Sequence, residues 1–507
     1  MLNRLNLIYV LEIAIVLLIV FGVLPRWLVP YVVVFLAIYF LRAPFEEVII
    51  FFVRSVPLFM AIPITPAFDS LNAWRIFSLI IFFRWMDSGK IKELLRFSKT
   101  KQVHMSLMFL LILALFSLIF APSQTLALKR IIYFVNLSLI GIVIYDLNSR
   151  AFTSRVIKNI VAPAILVTIL GMTQLVTTYF IDIYKFIEFW AGTVEKNLFG
   201  EAWAVIALRA NTWFAYFGDQ LSLRMFSFFP DSHSFPIFLI LSLPAVLALS
   251  LQNIVSITRK GNLPLKVMYQ TRARLSVIFV PILFLGVILS GTRGMWAAGV
   301  GCLLLVVGYW LIFRGQEVDS YKMAVFKYIS SYLSIFFLLF ALAFPIFASP
   351  QFLVFKENQA ILRQRVKSII DLGETSNYRR LEIWRDSFKS IINRPLVGVG
   401  IGNFPVVVGE DLAKAKAGSS AHNLYLHIAA EMGIFALLVI LYFLWHLLKK
   451  CYQNYLTETD PIMLIFFGAS LIFIPWNLLY SLTDVAIFDE RAFLLFVITA
   501  ALILGKK

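Results

Sequence analysis

One pattern constrains this chain more than any other: from its first residues to its last, apolar runs follow one another, separated mostly by short polar links. A helix that spans a bilayer needs about 17 to 25 mostly apolar residues, and inside lipid its backbone polar groups must be satisfied within the helix itself. By that rule helices are expected near 7–24, 28–42, 46–63, 72–86, 105–121, 127–146, 159–180, 234–252, 275–290, 295–313, 327–347, 422–447, 462–482 and 491–505. Composition agrees, because 61% of the residues are hydrophobic and 14% charged, where a soluble domain carries about 25% charge. The expected fold class is therefore an all-α polytopic membrane protein with about fourteen transmembrane helices.

The net charge of +17 does not point to nucleic acid, because the basic residues are scattered between apolar runs instead of gathered on one soluble face. Short cytoplasmic loops carry an excess of Lys and Arg. Lys90, Lys92, Arg96, Lys99 and Lys101 mark one such loop, Arg150, Arg155 and Lys158 the next, and Arg259, Lys260, Lys266, Arg272 and Arg274 a third. Arg314, Lys322 and Lys327, then Lys449 and Lys450, then Lys506 and Lys507 fall on the same side when spans are counted alternately, so both termini are expected in the cytoplasm. The first apolar run is not followed by a small-residue cleavage site before Pro25 and reads as a first span, not a removed signal peptide. Cys302 and Cys451 indicate neither a disulfide framework nor a Cys-based metal site.

The expected organisation is a block of N-terminal spans (1–180), an outer loop (181–233), further spans with an SGTRG turn (234–347), a large outer loop (348–421) and the C-terminal spans (422–507). Long loops without spans usually carry function. The second loop is basic, with Lys356, Arg363, Arg365, Lys367, Arg379, Arg380, Arg385, Lys389 and Arg394. Within it Leu381, Trp384, Phe388, Ile391 and Ile392 share one helical face, with Glu382, Asp386 and Lys389 largely off it. Asn377 is the expected cap and Arg394-Pro395 the stop of an amphipathic helix that lies on the membrane surface or packs over the bundle. The LVGVGIGNF that follows lacks the βαβ context of a nucleotide fingerprint and reads as a tight turn.

Three constellations are expected at the outer surface: Arg224 with FFPDSHSF, Arg293 in SGTRG, and His422 in SSAHNLYLH. Arg293 reads either as a snorkelling interfacial residue or as a planar donor fork for a phosphate at the mouth of the bundle, with Arg224 and the Arg379/Arg380 pair joining it. Ser419 or Ser420 is the expected N-cap that places His422 in the first turn of its helix, where the dipole disfavours imidazolium. There it either hydrogen-bonds locally or takes a proton from a hydroxyl. A zinc site fits poorly: His427 lies about 140° around the helix from His422, and no paired acids accompany these two and His233. Glu12 and Arg54, charges inside spans at similar depth, read as an intramembrane ion pair.

The order of SGTRG, then NYRRLEIWRDSFKSIINRPLVGVGIGNF, then AHNLYLHIAAEMGIFALL, over roughly 224–447, resembles the O-antigen ligase and O-antigen polymerase superfamily. That resemblance implies a bacterial inner-membrane glycosyltransferase of GT-C-like fold with a large helical periplasmic loop and no metal or other cofactor. It implies transfer of a glycan from undecaprenyl diphosphate to an acceptor glycan or glycolipid, as in lipopolysaccharide or polysaccharide assembly. It assigns Arg293, Arg379 or Arg380, and less directly Arg224, to the diphosphate, and His422 to the acceptor hydroxyl. The Arg224 segment departs from the family pattern, lacking its Gly and carrying His233 near where Asn is common. Protein O-glycosylation, and transport of a lipid-linked sugar or small anion, are the alternative functions; no internal hydropathy repeat supports transport.

Overall fold

The computed structural model describes residues 4–65, 71–87, 101–210, 212–217, 220–258, 271–314, 320–349, 351, 375–410, 412 and 419–505. In chain order the helices are α1 (Arg4–Val20), α2 (Val29–Arg42), α3 (Phe45–Ser55), α4 (Ala73–Trp85), α5 (Lys101–Ile119), α6 (Gln124–Leu147), α7 (Arg150–Thr177), α8 (Ile183–Phe189), α9 (Lys196–Phe199), α10 (Glu201–Ala210), α11 (Ser234–Thr258), α12 (Thr271–Leu289), α13 (Arg293–Arg314), α14 (Ser320–Phe347), α15 (Thr375–Asn393), α16 (Leu424–Met432), α17 (Ile434–Thr457), α18 (Pro461–Tyr480) and α19 (Glu490–Leu504). Two short antiparallel hairpins complete the described residues, β1 (Ala61–Ile62) with β2 (Leu71–Asn72) and β3 (Phe214–Phe217) with β4 (Gln220–Leu223). The basic loop residues Lys90, Lys92, Arg96, Lys99, Arg259, Lys260 and Lys266, the loop residues Lys356, Arg363, Arg365 and Lys367, and the two terminal lysines lie outside the described residues.

Among the described residues seven helices are long and apolar enough to cross a membrane: α6, α7, α11, α13, α14, α17 and α18. All fourteen expected segments are helical at least in part, and in four of them the helix, α2, α3, α4 or α19, is shorter than a full span of about 17 residues. Helices α1, α2, α3, α4 and α19 have 17, 14, 11, 13 and 15 residues. Helices α5 and α12 have 19 residues each, and Met105–Ile119 and Ile278–Leu289 are their apolar stretches among the described residues.

Two departures from the expected bounds have a direct cause. The segment expected over 46–63 leaves the α-helix at Ser55 because Pro57 and Pro63 lack the N–H an interior turn requires. The segment expected over 422–447 is two helices parted at Gly433, whose φ is +84°. A side chain there would meet the Leu396 carbonyl oxygen at 2.3 Å, while Ile434 N donates to Pro395 O at 2.8 Å. The chain crosses itself at this point, and only glycine permits it.

Helices α11 and α18 form the centre, buried over 94% and 89% of their apolar length, whereas α13 and α17 are 33% and 22% buried and present apolar side chains outward. Phe284, Phe336, Phe473 and Trp476 form the aromatic centre of the packing, and Trp476 Nε1 donates to Met295 O at 2.9 Å. Glu12 and Arg54 do not pair. Ser55 Oγ donates to Glu12 at 2.5 Å, and Arg54 donates to Asn159 at 2.6 Å and Asn6 at 2.7 Å and lies over the Tyr9 ring. Neutral amide and hydroxyl partners from neighbouring helices satisfy both groups, so the expected ion pair is not formed.

Candidate active site

The segment after β4 is laid across the ends of the bundle helices by its backbone. Leu223 N donates to Gln351 Oε1 at 2.8 Å, Arg224 N to Trp213 O at 2.8 Å, and Met225 N to Leu289 O at 3.1 Å. Gln174 Oε1 at the end of α7 accepts from Phe226 N and Ser227 N. Arg224 is thereby held half-buried beside the SGTRG turn, where its Nη2 donates to Gly291 O at 3.2 Å and its Nε has no partner. Gly291 has φ +64°, and a side chain there would strike the Phe347 ring and the Arg224 stem.

Asp231 caps α11 by accepting from His233 N at 2.8 Å and Ser234 N at 2.7 Å, which fixes His233 at the edge of the central helix. In the SGTRG turn, Thr292 Oγ1 donates to Ser232 O at 2.8 Å and ties that cap to the start of α13. Arg293 is the first residue of α13, so its half-buried guanidinium lies at the positive end of a helix, where an anion is favoured twice over.

His422 does not lie in the first turn of a helix, as expected from a Ser cap. Asn423 is the cap of α16, accepting from Tyr425 N at 3.0 Å and Leu426 N at 3.1 Å, because its amide reaches both free N–H groups. His422 precedes it in the left-handed region, φ +45°, with its N–H on Ser420 Oγ at 3.3 Å. Histidine tolerates this conformation better than most residues, and strain of this kind gathers at functional sites. Leu424 N donates to Ser481 O at 2.8 Å and fastens the turn to the end of α18.

Just beyond α18, Asp484 joins the two halves. Its Oδ1 accepts from Val485 N at 2.7 Å and Ala486 N at 3.0 Å, leaving Oδ2 facing His233 Nδ1 at 3.3 Å and His422 Nδ1 at 3.8 Å. His233 Nδ1 is also 3.0 Å from the Tyr480 hydroxyl. The His422 side chain is 39% exposed against 17% for His233, so His422 is the imidazole that a substrate can reach.

The charges are coupled. Burial pushes the His233 imidazole down to about 4, and Arg224, Arg380 and His422 reinforce that against the pull of Asp484. Burial would raise the Asp484 carboxyl, but His233, His422 and Arg380 together outweigh it and hold Asp484 below the usual carboxylate range. Arg224 is pushed down to about 10 by burial and by Arg293. Arginines held beside one another in this way form a ready seat for an anion.

Of the residues expected in the site, His422 lies beside Asp484, Arg224 and Arg380 are near enough to act on that carboxylate, and Arg293 is near enough to act on Arg224. Arg379 is exposed on α15. His427 stands apart from His422, stacked on Phe404 at 4.7 Å and 3.5 Å from Glu431, where it supports the turn that leads into α16. Among the described residues no group of three or more His, Cys, Asp or Glu side chains is placed to hold a metal ion. Sequence reasoning missed Asp484 and Tyr480. The signal was present in YSLTD, an acid at the end of a span that alternate counting puts on the same side as Arg293 and His422.

Residues 278–441 match the protein family described as O-antigen ligase. The match includes Arg293, Arg379, Arg380 and His422 and stops short of Arg224, His233 and Asp484 on either side. No curated protein matches the chain.

Proposed function

We propose that this multi-pass membrane protein, whose residues 278–441 match the O-antigen ligase family, is a glycosyltransferase moving a glycan from undecaprenyl diphosphate to a hydroxyl of an acceptor glycan or glycolipid. The observation that carries the proposal is Asp484 facing His422 and His233, with Arg224 and Arg380 near enough to act on that carboxylate and Arg293 near enough to act on Arg224. Its setting is the bacterial inner membrane, with the site on the periplasmic side and both termini cytoplasmic.

The reaction is a single displacement. The acceptor oxygen forms its bond to the anomeric carbon while the bond from that carbon to the phosphate oxygen breaks, and the diphosphate leaves with the electron pair. The guanidiniums hold the diphosphate and stabilise the negative charge that grows on it. They provide the charge that a metal ion supplies elsewhere, so the step needs none.

The acceptor proton passes to His422 Nε2, because Nδ1 faces Asp484 across 3.8 Å. Catalytic hydrogen bonds are often long before substrate binds, and an ionised Asp484 then orients the ring and stabilises the imidazolium. His233, wedged between Tyr480 and Asp484, fixes the carboxylate from behind. Attack on the face opposite the leaving diphosphate inverts the anomeric centre, and no second carboxylate is required as nucleophile.

The test uses the purified protein in detergent with a polyprenyl-diphosphate glycan and candidate acceptors. With no sealed compartment a transporter has no measurable action, whereas a glycosyltransferase releases polyprenyl diphosphate and extends the acceptor. The expected result is stoichiometric release and extension that survive EDTA. Extension abolished by EDTA and restored by a divalent metal would overturn the metal-free mechanism.

A further inference from the structure

Helix α15 has two apolar faces, and the bundle uses one. Ile383, Trp384, Ser387 and Ile391 turn inward, with Ile383 and Ile391 against Phe404, Ala421 and Ala430 and Trp384 Nε1 donating to Ala421 O at 2.9 Å. This corrects the single face expected from the sequence, since Leu381, Phe388 and Ile392 lie outside the packed side. At 3.6 residues per turn those three fall within about 40° of one another, roughly a third of a turn from the inward face. Phe388 is 54% exposed and Ile392 75%. A third sector is polar, with Glu382, Lys389 and Asn393 exposed.

The position of the helix identifies what meets the second face. Its C-terminal end is fastened to the start of α17 by the bond from Ile434 N to Pro395 O. Helix α17 is a candidate span that turns Ile434, Phe435 and Leu438 outward, at 41%, 47% and 54% exposure. Leu396, 57% exposed and packed by its backbone against Gly433, carries the apolar stripe of α15 directly onto that lipid-facing surface. Arg385 lies along the stripe and Lys389 beside it, where a long cationic chain keeps its head in the headgroup layer while its stem lies on apolar surface. Basic residues in that layer attract anionic lipid.

We propose that α15 lies in the membrane interface, with Leu381, Phe388, Ile392 and Leu396 inserted among the acyl chains of the leaflet on the side of the site and Arg385 and Lys389 at its headgroups. The helix is then wedged between bilayer, bundle and water, one sector to each. Since Arg380 belongs to the inward side of this helix, the lipid surface takes part in holding the loop over the site. The inference does not depend on the reaction proposed above.

The experiment places single thiols by Phe388→Cys, Ile392→Cys, Glu382→Cys and Asn393→Cys in the full-length protein. Cys302 and Cys451 are buried, so label goes to the introduced thiol. Each variant carries an environment-sensitive fluorophore in nanodiscs of phosphatidylethanolamine with a minority of phosphatidylglycerol. Nitroxide-bearing lipids should quench positions 388 and 392 several-fold more than 382 and 393, and aqueous iodide should give the reverse order. Equal iodide access at all four positions would overturn the proposal, because the stripe would then lie in water. Protection of 388 and 392 from both quenchers would overturn it equally, since protein and not lipid would then cover the face.

Discussion

A carboxylate between two imidazoles can serve either, and the geometry at Asp484 divides the work. The half-buried His233, at 3.3 Å, is pinned and kept neutral; the more open His422, at 3.8 Å, is free to meet substrate. His422→Ala should therefore lower turnover by about 100-fold or more, the range of general-base contributions, with donor affinity little changed. Asp484→Asn should act in the same direction, read as a fall in kcat. Arg293→Lys keeps the charge and loses the planar fork, so a large loss of rate is expected in the same assay. His233 gives a separate handle through pH. Its folded value of about 4 lies below the ordinary 6.5, so between those limits the unfolded chain binds more protons and stability rises with pH. Acidification from pH 6.5 to 4 should remove up to about 3 kcal/mol through this residue. In His233→Asn that part of the pH slope should vanish from thermal unfolding in detergent, whatever constant offset the lost Tyr480 contact adds. At this scale the arginines and His422 were legible because their type and motif mark them. Asp484 was not, because what singles it out is its approach to His233, in the turn ahead of α11 about 250 residues earlier.

Apolar runs reported the helices of the bundle but neither where each one stops nor the short helices α8, α9 and α10 of the first outer loop. Run length carries no information about a backbone that must turn aside, as at Ser55 ahead of Pro57 or at Gly433. For the same reason the amphipathic helix was found while its packed face was misjudged. Periodicity locates apolar residues around an axis, and only the neighbours decide which of them go inward. The expected cap at Asn377 also fails, as α15 already includes Thr375. The LVGVGIGNF segment is a run of turns, as expected, tied to α16 by Val399 N to Ala430 O at 2.8 Å and Gly400 N to Glu431 O at 2.9 Å. Gly433→Ala must move the Pro395–Leu396 strand or abandon its φ of +84°. A loss of at least about 2 kcal/mol is expected, seen as a lower unfolding temperature and reduced folded yield.

For the whole molecule, topology decides whether the site can meet a periplasmic substrate. The Lys and Arg count in the short loops predicts that reporter fusions at Lys260 and Lys450 read cytoplasm and a fusion within 414–419 reads periplasm. A cytoplasmic signal from the last position would put Arg293 and His422 in the wrong compartment. The break at Gly433 has a further consequence at this scale. Bilayers differ in thickness, and a spanning helix answers by tilting. Helix α16 is held to the central post through Leu424 and Ser481, while α17 is largely lipid-facing. Because the turn at Gly433 separates the two helices, a change in the tilt of α17 is expected to leave the distances around Asp484 unaltered, which the same activity assay in nanodiscs of different thickness would check.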